Sequence, residues 1–160
     1  MIVIRNTNNS DDLNTIYNNL YIALVKHHNA LNPEYKKFID ENKDIKDIVL
    51  SSMKSPHSYV AIDTKTHEFV GLLVGREYEN NIFSLDDLYI VPNYRGRNIG
   101  KSMVSKFIKS HNKYDIILLV LKENGSVVEF YKKFGFKVVK ETQPLKYNIS
   151  GYLMRREGRR

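Results

Sequence analysis

Apolar and polar residues alternate from Met1 to Arg5, and apolar residues return at helical spacing at Leu13, Ile16, Tyr17, Leu20 and Leu24. The first pattern predicts a strand and the second an amphipathic helix, because side chains repeat every two residues along a strand and about every 3.6 along a helix. Ser10, followed by Asp11 and Asp12, predicts the start of that helix: a hydroxyl cap, then acids at the positive end of the dipole. A polar stretch containing Asn32-Pro33 breaks the pattern, and Ile45, Ile48, Val49 and Met53 mark a second helix. Tyr59 to Ile62 and Phe69 to Arg76 read as a hairpin around a turn at residues 63–67. Glu79-Asn80-Asn81 turns the chain into a further strand from Ile82 to Val91.

Beyond Pro92 the pattern changes. A loop from Tyr94 to Gly100 leads into a helix with Met103, Val104, Phe107 and Ile108 on one face. Ile116 to Leu121 is continuously apolar, as expected of a strand buried on both faces. Asn124 is placed to cap a helix carrying Val127, Phe130, Tyr131 and Phe134, and the segments 136–139 and 147–154 complete the strands. The predicted order is β-α-α-β-β-β-α-β-α-β-β. Its central strand–loop–helix–strand unit is a crossover, so at least two strands should be parallel and the fold class is mixed α/β.

Composition narrows the chemistry. A chain of 160 residues fits one domain, read as residues 1–154 with a basic tail at 155–160. There is no cysteine, which excludes disulfides, thiolate metal sites and a cysteine nucleophile. The longest apolar run falls far short of the roughly 18 residues of a membrane span, and no basic-then-apolar leader follows Met1. The expectation is a cytoplasmic protein with no membrane partner. Of the net charge of +7, the tail residues Arg155, Arg156, Glu157, Arg159 and Arg160 contribute +3. We read that tail as a solvated terminus, not a nucleic-acid element, because no nucleic-acid motif accompanies it. The remaining positive charge suits a phosphate-rich anionic cofactor. The histidines show no metal-ligand spacing, so no metal is expected.

The segment from Leu88 to Ser102 carries the most information. A strand ends, and a loop containing Arg95, Gly96, Arg97, Asn98, Ile99, Gly100 and Lys101 opens a helix. The first turn of a helix presents unpaired N–H groups and a positive dipole end, glycines allow close approach, and the cations add charge. Together these make a diphosphate cradle. The nucleotide-triphosphate loop is excluded by spacing, since Gly96 and Gly100 enclose three residues where four are needed, and Gly-x-Gly-x-x-Gly is absent.

Arg95 to Gly100 resembles the coenzyme-A loop of the GNAT acetyltransferase superfamily, Arg/Gln-x-x-Gly-x-Gly/Ala. Asn98 stands where the first glycine is usual, and asparagine tolerates positive φ well. Asn124-Gly125-Ser126-Val127-Val128-Glu129-Phe130-Tyr131-Lys132-Lys133-Phe134-Gly135-Phe136 resembles the superfamily's later motif, Asn-x-x-Ala-x-x-Phe-Tyr-x-x-x-Gly-Phe, with Val127 in place of alanine. The stretch 84–90 resembles that of diamine- and polyamine-type members. The resemblance implies a strongly bent sheet of about seven strands with about four helices. It also implies direct acetyl transfer from acetyl-coenzyme A to a primary amine of a small, polycationic acceptor, with no metal.

On this resemblance Tyr131 is the acid that protonates the leaving thiolate. Asp86 is the base or water-positioning residue, and Asp87 binds a cationic substrate. The backbone of Leu88, Tyr89 and Ile90, the loop 95–101 and Asn124 hold the cofactor, and His28 borders the acceptor pocket. Adjacent strand residues point to opposite faces, so only one aspartate faces the reaction unless a bulge intervenes. Alternative readings are a non-catalytic acetyl-coenzyme-A-binding module and an acetyltransferase of protein amines. Homodimers are common in the superfamily.

Overall fold

The computed structural model describes residues 1–7, 10–142 and 148–159. Its seven strands are β1 (Ile2–Asn6), β2 (Tyr59–Asp63), β3 (Glu68–Glu79), β4 (Ile82–Ile90), β5 (Asp115–Leu121), β6 (Lys137–Glu141) and β7 (Gly151–Arg156). They form one sheet in the order β1-β2-β3-β4-β5-β7-β6. Every neighbouring pair is antiparallel except β4 and β5, the parallel pair expected from the crossover. Between β1 and β2 lie α1 (Leu13–Ile16), a π-helical turn (Tyr17–Tyr21), α2 (Ile22–Leu31), α3 (Tyr35–Glu41) and α4 (Asp44–Met53). The crossover helix is α5 (Ile99–Ser110), and α6 (Ser126–Lys132) links β5 to β6.

The central strands are apolar on both faces because a helical layer covers each. Val60, Leu72 and Val74 turn to the first helices, packing with Ile16, Leu20, Leu24 and Met53. Their neighbours Ala61 and Leu73 turn the other way, into a core with Met103, Val104, Phe107, Ile116 and Met154. This is the mixed α/β sheet the sequence predicts.

Local details differ from the sequence reading. The cap of α1 is Asp12, whose carboxylate accepts from Thr15 N (3.1 Å); Ser10 sits in the preceding turn. Helix α3 occupies part of the stretch read as a polar break, its few apolar residues being too sparse to mark a helix by period. Ile48 is 53% exposed, so the apolar face of α4 runs through Val49 and Met53 without it. Tyr147, the expected start of the last strand, lies outside the described residues, and β7 begins at Gly151. Arg155 and Arg156 are not tail residues: both belong to β7. Arg155 pairs with the buried Asp115 (2.5 Å), and Arg156 Nε donates to Phe134 O (2.8 Å). Asp115 also accepts from Gly158 N (2.9 Å), and Arg159 N donates to Asn112 O (2.8 Å), so the C-terminal segment is fastened as far as Arg159.

Two irregularities position the site. Strands β4 and β5 pair only at Ile82–Asp115, Phe83–Ile116 and Ser84–Ile117, and then part. In β4 a bulge sets Val74 opposite Asp87 and Gly75 opposite Leu85, leaving Asp86 as the extra residue. Beyond the fork, Leu119 is 62% exposed and lines the open cavity, so β5 is not buried on both faces as its composition predicts.

Candidate active site

The fork between β4 and β5 opens into a cavity of about 1130 Å³, walled also by α2, α3 and α6. Parting leaves the 85–90 edge of β4 without a strand partner on that side. An unpaired edge offers N–H and C=O groups to whatever lies in the cleft.

At one end stands the loop before α5. Gly96 (φ 78°) and Asn98 (φ 63°) are both left-handed, so asparagine does adopt the backbone that glycine usually supplies. No side chain caps α5. Its first backbone bond back to Asn98 O comes from Ser102 N (3.0 Å), leaving the N–H groups of the first turn without helical partners. Gly100 lines the cavity, and a Cβ there would meet nothing nearer than Ile90 Cγ1 at 3.7 Å. Packing does not demand glycine at this helical position; the space it frees belongs to the cleft, which fits close approach of a ligand.

The loop is braced by its own aromatic residues. Arg95 Nε donates to Ile90 O (2.9 Å), and its guanidinium lies 5.4 Å from the Tyr89 ring. Arg97 stacks 4.7 Å from the Tyr94 ring, and Tyr94 OH donates to Asp63 (2.5 Å) at the end of β2. Of the residues expected to hold cofactor, Leu88, Tyr89, Ile90, Arg95, Gly100 and Asn124 line the cavity. Gly96, Arg97, Asn98, Ile99 and Lys101 build the loop and helix start without lining it, and the Ile99 side chain is core. Asn124 does not cap α6 as predicted. It ends a 3-10 turn (Lys122–Asn124), and Gly125 takes the cap position without a side-chain bond.

At the other end the bulge brings both aspartates to the same cavity. Their environments differ. Asp86 accepts from Arg76 Nε (2.5 Å) and from Ser84 Oγ (2.5 Å), so its charge is compensated. Asp87 keeps partial accessibility only because it lines the cavity. Burial, reinforced by the neighbouring charge of Asp86, raises its carboxyl well above the usual carboxylate range. Burial also raises the phenols of Tyr21, Tyr35 and Tyr131, and the negative charge of Asp87 adds to each. Tyr35 and Tyr131 line the cavity with Asp87, whereas Tyr21 is buried in the core with Leu20 and Leu24. Tyr131 is nearly buried, edge-on to Phe130 (5.1 Å) and Phe136 (5.6 Å).

His28 also lines the cavity, edge-on to Tyr35 at 5.0 Å. Burial, and secondarily His27, pushes its pKa down to about 4, so the ring is neutral at physiological pH. Its Nδ1 is buried without a hydrogen-bond partner among the described residues. The structure joins two other histidines the sequence left scattered: His57 Nδ1 and His111 Nε2 lie 2.8 Å apart, away from the cavity. No group of three or more histidines and acids gathers as a metal site among the described residues. No helix among them is long and apolar enough to cross a membrane.

Sequence reasoning missed Tyr35 and Arg76. Tyr17, Leu20 and Tyr21 keep the i, i+3, i+4 spacing of a buried helical face through the π-turn.

The acetyltransferase (GNAT) domain pattern matches residues 54–138, more than half of the chain. The histone acetyltransferase TAP1 of Glycine max is 35% identical over 51 residues, covering 32% of this chain and 22% of that protein. An uncharacterized N-acetyltransferase of Methanocaldococcus jannaschii is 31% identical over 62 residues, covering 37% and 27%. The chain thus spans about a quarter of the length of the curated relatives it matches. The PaiA N-acetyltransferase of Thermoplasma acidophilum, solved with coenzyme A, superposes with a TM-score of 0.72 at 21% identity over 98% of this chain and 99% of that one. PH1933 of Pyrococcus horikoshii superposes at 0.70 with 20% identity over the full length of both. These structures share the fold, and by the domain pattern over residues 54–138 the chain belongs to the GNAT acetyltransferase domain family.

Proposed function

We propose that this protein transfers an acetyl group from acetyl-coenzyme A to the primary amine of a small acceptor, by direct attack without a covalent enzyme intermediate. One observation carries the reading: a single cavity joins the open first turn of α5 to Asp87 and Tyr131. The diphosphate fits the first-turn amides and Gly100, and the pantetheine arm fits the free edge of β4 at Leu88, Tyr89 and Ile90. Arg95, Arg97, Lys101 and Asn124 complete that half of the site. The thioester supplies an activated acyl carbon.

Asp87, not Asp86, takes the proton that the acceptor ammonium must lose, directly or through water. A carboxyl whose proton affinity is raised by burial is the better base, whereas Asp86 is committed to Arg76 and Ser84. Asp86 holds that arrangement and sharpens the basicity of its neighbour. The Tyr131 phenol stays protonated throughout the working pH range, the state in which it donates to the departing sulfur. His28 faces the acceptor half. Every residue invoked belongs to one copy of the chain.

The test has two readouts. Saturating acetyl-coenzyme A at about one hundred times its Kd should add about 2.7 kcal/mol to stability and raise the melting temperature by several degrees. Thiol release should then depend on an added amine. No thermal shift at saturation removes the proposal; a shift without thiol release for any amine reduces the protein to a binding module.

A further inference from the structure

The charge on the acceptor half of the cavity is smaller than the pair of adjacent aspartates suggests. Asp86, Asp87 and Glu141 are the acids that line the cavity among the described residues. Asp86 is paired with Arg76 (2.5 Å) and Glu141 with Lys122 (2.6 Å). The segment 143–147 lies outside the described residues, and its sequence, Gln-Pro-Leu-Lys-Tyr, brings no acid. Asp87 is therefore the one lining acid without a cationic partner. Around it the wall is Leu24, Phe38, Tyr35 and a neutral His28, with His27 at its side. Asn32 Nδ2 donates to Glu123 (2.9 Å), tying the end of α2 to the turn after β5 and bounding the acceptor side.

Building on the transferase reading, we infer that the acceptor is a small monoamine on an apolar alkyl or aryl body, its single ammonium seated at Asp87 with Tyr35 and Tyr131 on the same wall. One acid satisfies one ammonium. A second ammonium finds no further uncompensated acid on the described wall, which includes Leu24, Phe38 and an uncharged imidazole, and burying a charge without a partner is strongly unfavourable. An apolar chain at the same place gains from each methylene removed from water. The tyrosines contribute ring faces and edges that suit a cation at the acid and carbon beyond it.

The experiment compares acceptors matched in length. With the full chain and saturating acetyl-coenzyme A, kcat/KM is measured for propylamine, hexylamine, 2-phenylethylamine, 1,6-diaminohexane, spermidine and a peptide with a free N-terminus. Hexylamine should exceed 1,6-diaminohexane by at least tenfold, and the alkyl series should rise about threefold per added methylene. Phe38→Glu, which adds an acid to the wall, should narrow the hexylamine preference by raising kcat/KM for 1,6-diaminohexane about fivefold. Diamine, spermidine or peptide turnover equal to or better than the matched monoamine overturns the inference and leaves acetyl transfer standing. Turnover of none of them, with the thermal shift by acetyl-coenzyme A intact, ends both.

Discussion

Replacing Asp87 by asparagine should make this protein more stable and far less active. The residue keeps its size and loses its charge. In the unfolded chain Asp87 titrates near 3.9, whereas in the native chain burial and Asp86 raise it well above that. Above about pH 4 the native state therefore binds more protons at this site than the unfolded state. By linkage, stability falls as pH rises from that point to the native pKa, and the deficit stays constant beyond it. Every tenfold difference in proton affinity between the two states is worth about 1.4 kcal/mol, and one such factor corresponds to roughly 3–6 °C in melting temperature for a chain of this size. Asparagine carries no such deficit.

Melting curves of the two proteins at pH 4, 5, 6, 7 and 8 should nearly coincide in their Asp87 contribution at the lowest value and diverge steadily above it, the variant being the more stable. Turnover at saturating acetyl-coenzyme A should fall by about 10²–10⁴-fold, the usual worth of a general base. Asp86→Asn is the control with the opposite stability sign: it breaks the Arg76 pair and the Ser84 hydrogen bond and lowers the melting temperature. A gap between wild type and Asp87→Asn that does not widen with pH, or a variant retaining a third of its turnover, would show that Asp87 is neither desolvated nor the proton acceptor.

Three further outcomes follow from the same geometry. Tyr131→Phe should cut kcat by about 10²-fold or more while shifting Kd for acetyl-coenzyme A less than twofold; full turnover would remove the phenol from the chemistry. Tyr94→Phe deletes the hydrogen bond to Asp63 that steadies the loop, so KM for acetyl-coenzyme A should rise about threefold to tenfold with kcat little changed, and a kcat effect alone would contradict the bracing role. His57 and His111, like His28, are held below the ordinary histidine range, mainly by burial, with Glu77 partly opposing this at His57. The native state therefore binds fewer protons at these sites, and stability present above pH 6.5 should be lost as pH falls toward the native values. Chemical denaturation midpoints between pH 7.5 and 4.5 test this, and replacing His111 with phenylalanine should flatten the slope.

What was legible in the sequence was local. Gly96 and Asn98 announce a left-handed loop because few residues accept positive φ, and that chemistry needs no knowledge of the rest of the chain. The crossover and the apolar face of α5 were legible for the same reason. Which of the two adjacent acids is charge-compensated was not. Asp86 and Asp87 are indistinguishable by type and adjacent in position, and what separates them is a one-residue bulge in the register of β4 on β3 together with Arg76, ten residues away. Neither leaves a periodic signature. Leu119 makes the point in reverse: its run of apolar neighbours predicts burial on both faces, yet it is exposed where β5 walls the open cavity, past the last β4 pairing at Ser84–Ile117. Arg155 and Arg156 read as a solvated tail until Asp115 and the Phe134 carbonyl are found beside them.

These failures share a cause, and it bears on the acceptor. The fork leaves β4 and β5 each with an unpaired edge. The bulge turns a second acid into the space. Both are departures from regular structure, and they meet at one cavity. A regular β4 would send Asp86 and Asp87 to opposite faces, and the site would hold one acid with no neighbour to raise its proton affinity. Because the bulge brings both to the cavity while Arg76 compensates only one, the pair is proposed to act as a single, strengthened base rather than as two anionic subsites. On that proposal a doubly charged acceptor, which the resemblance had implied, is a poor fit.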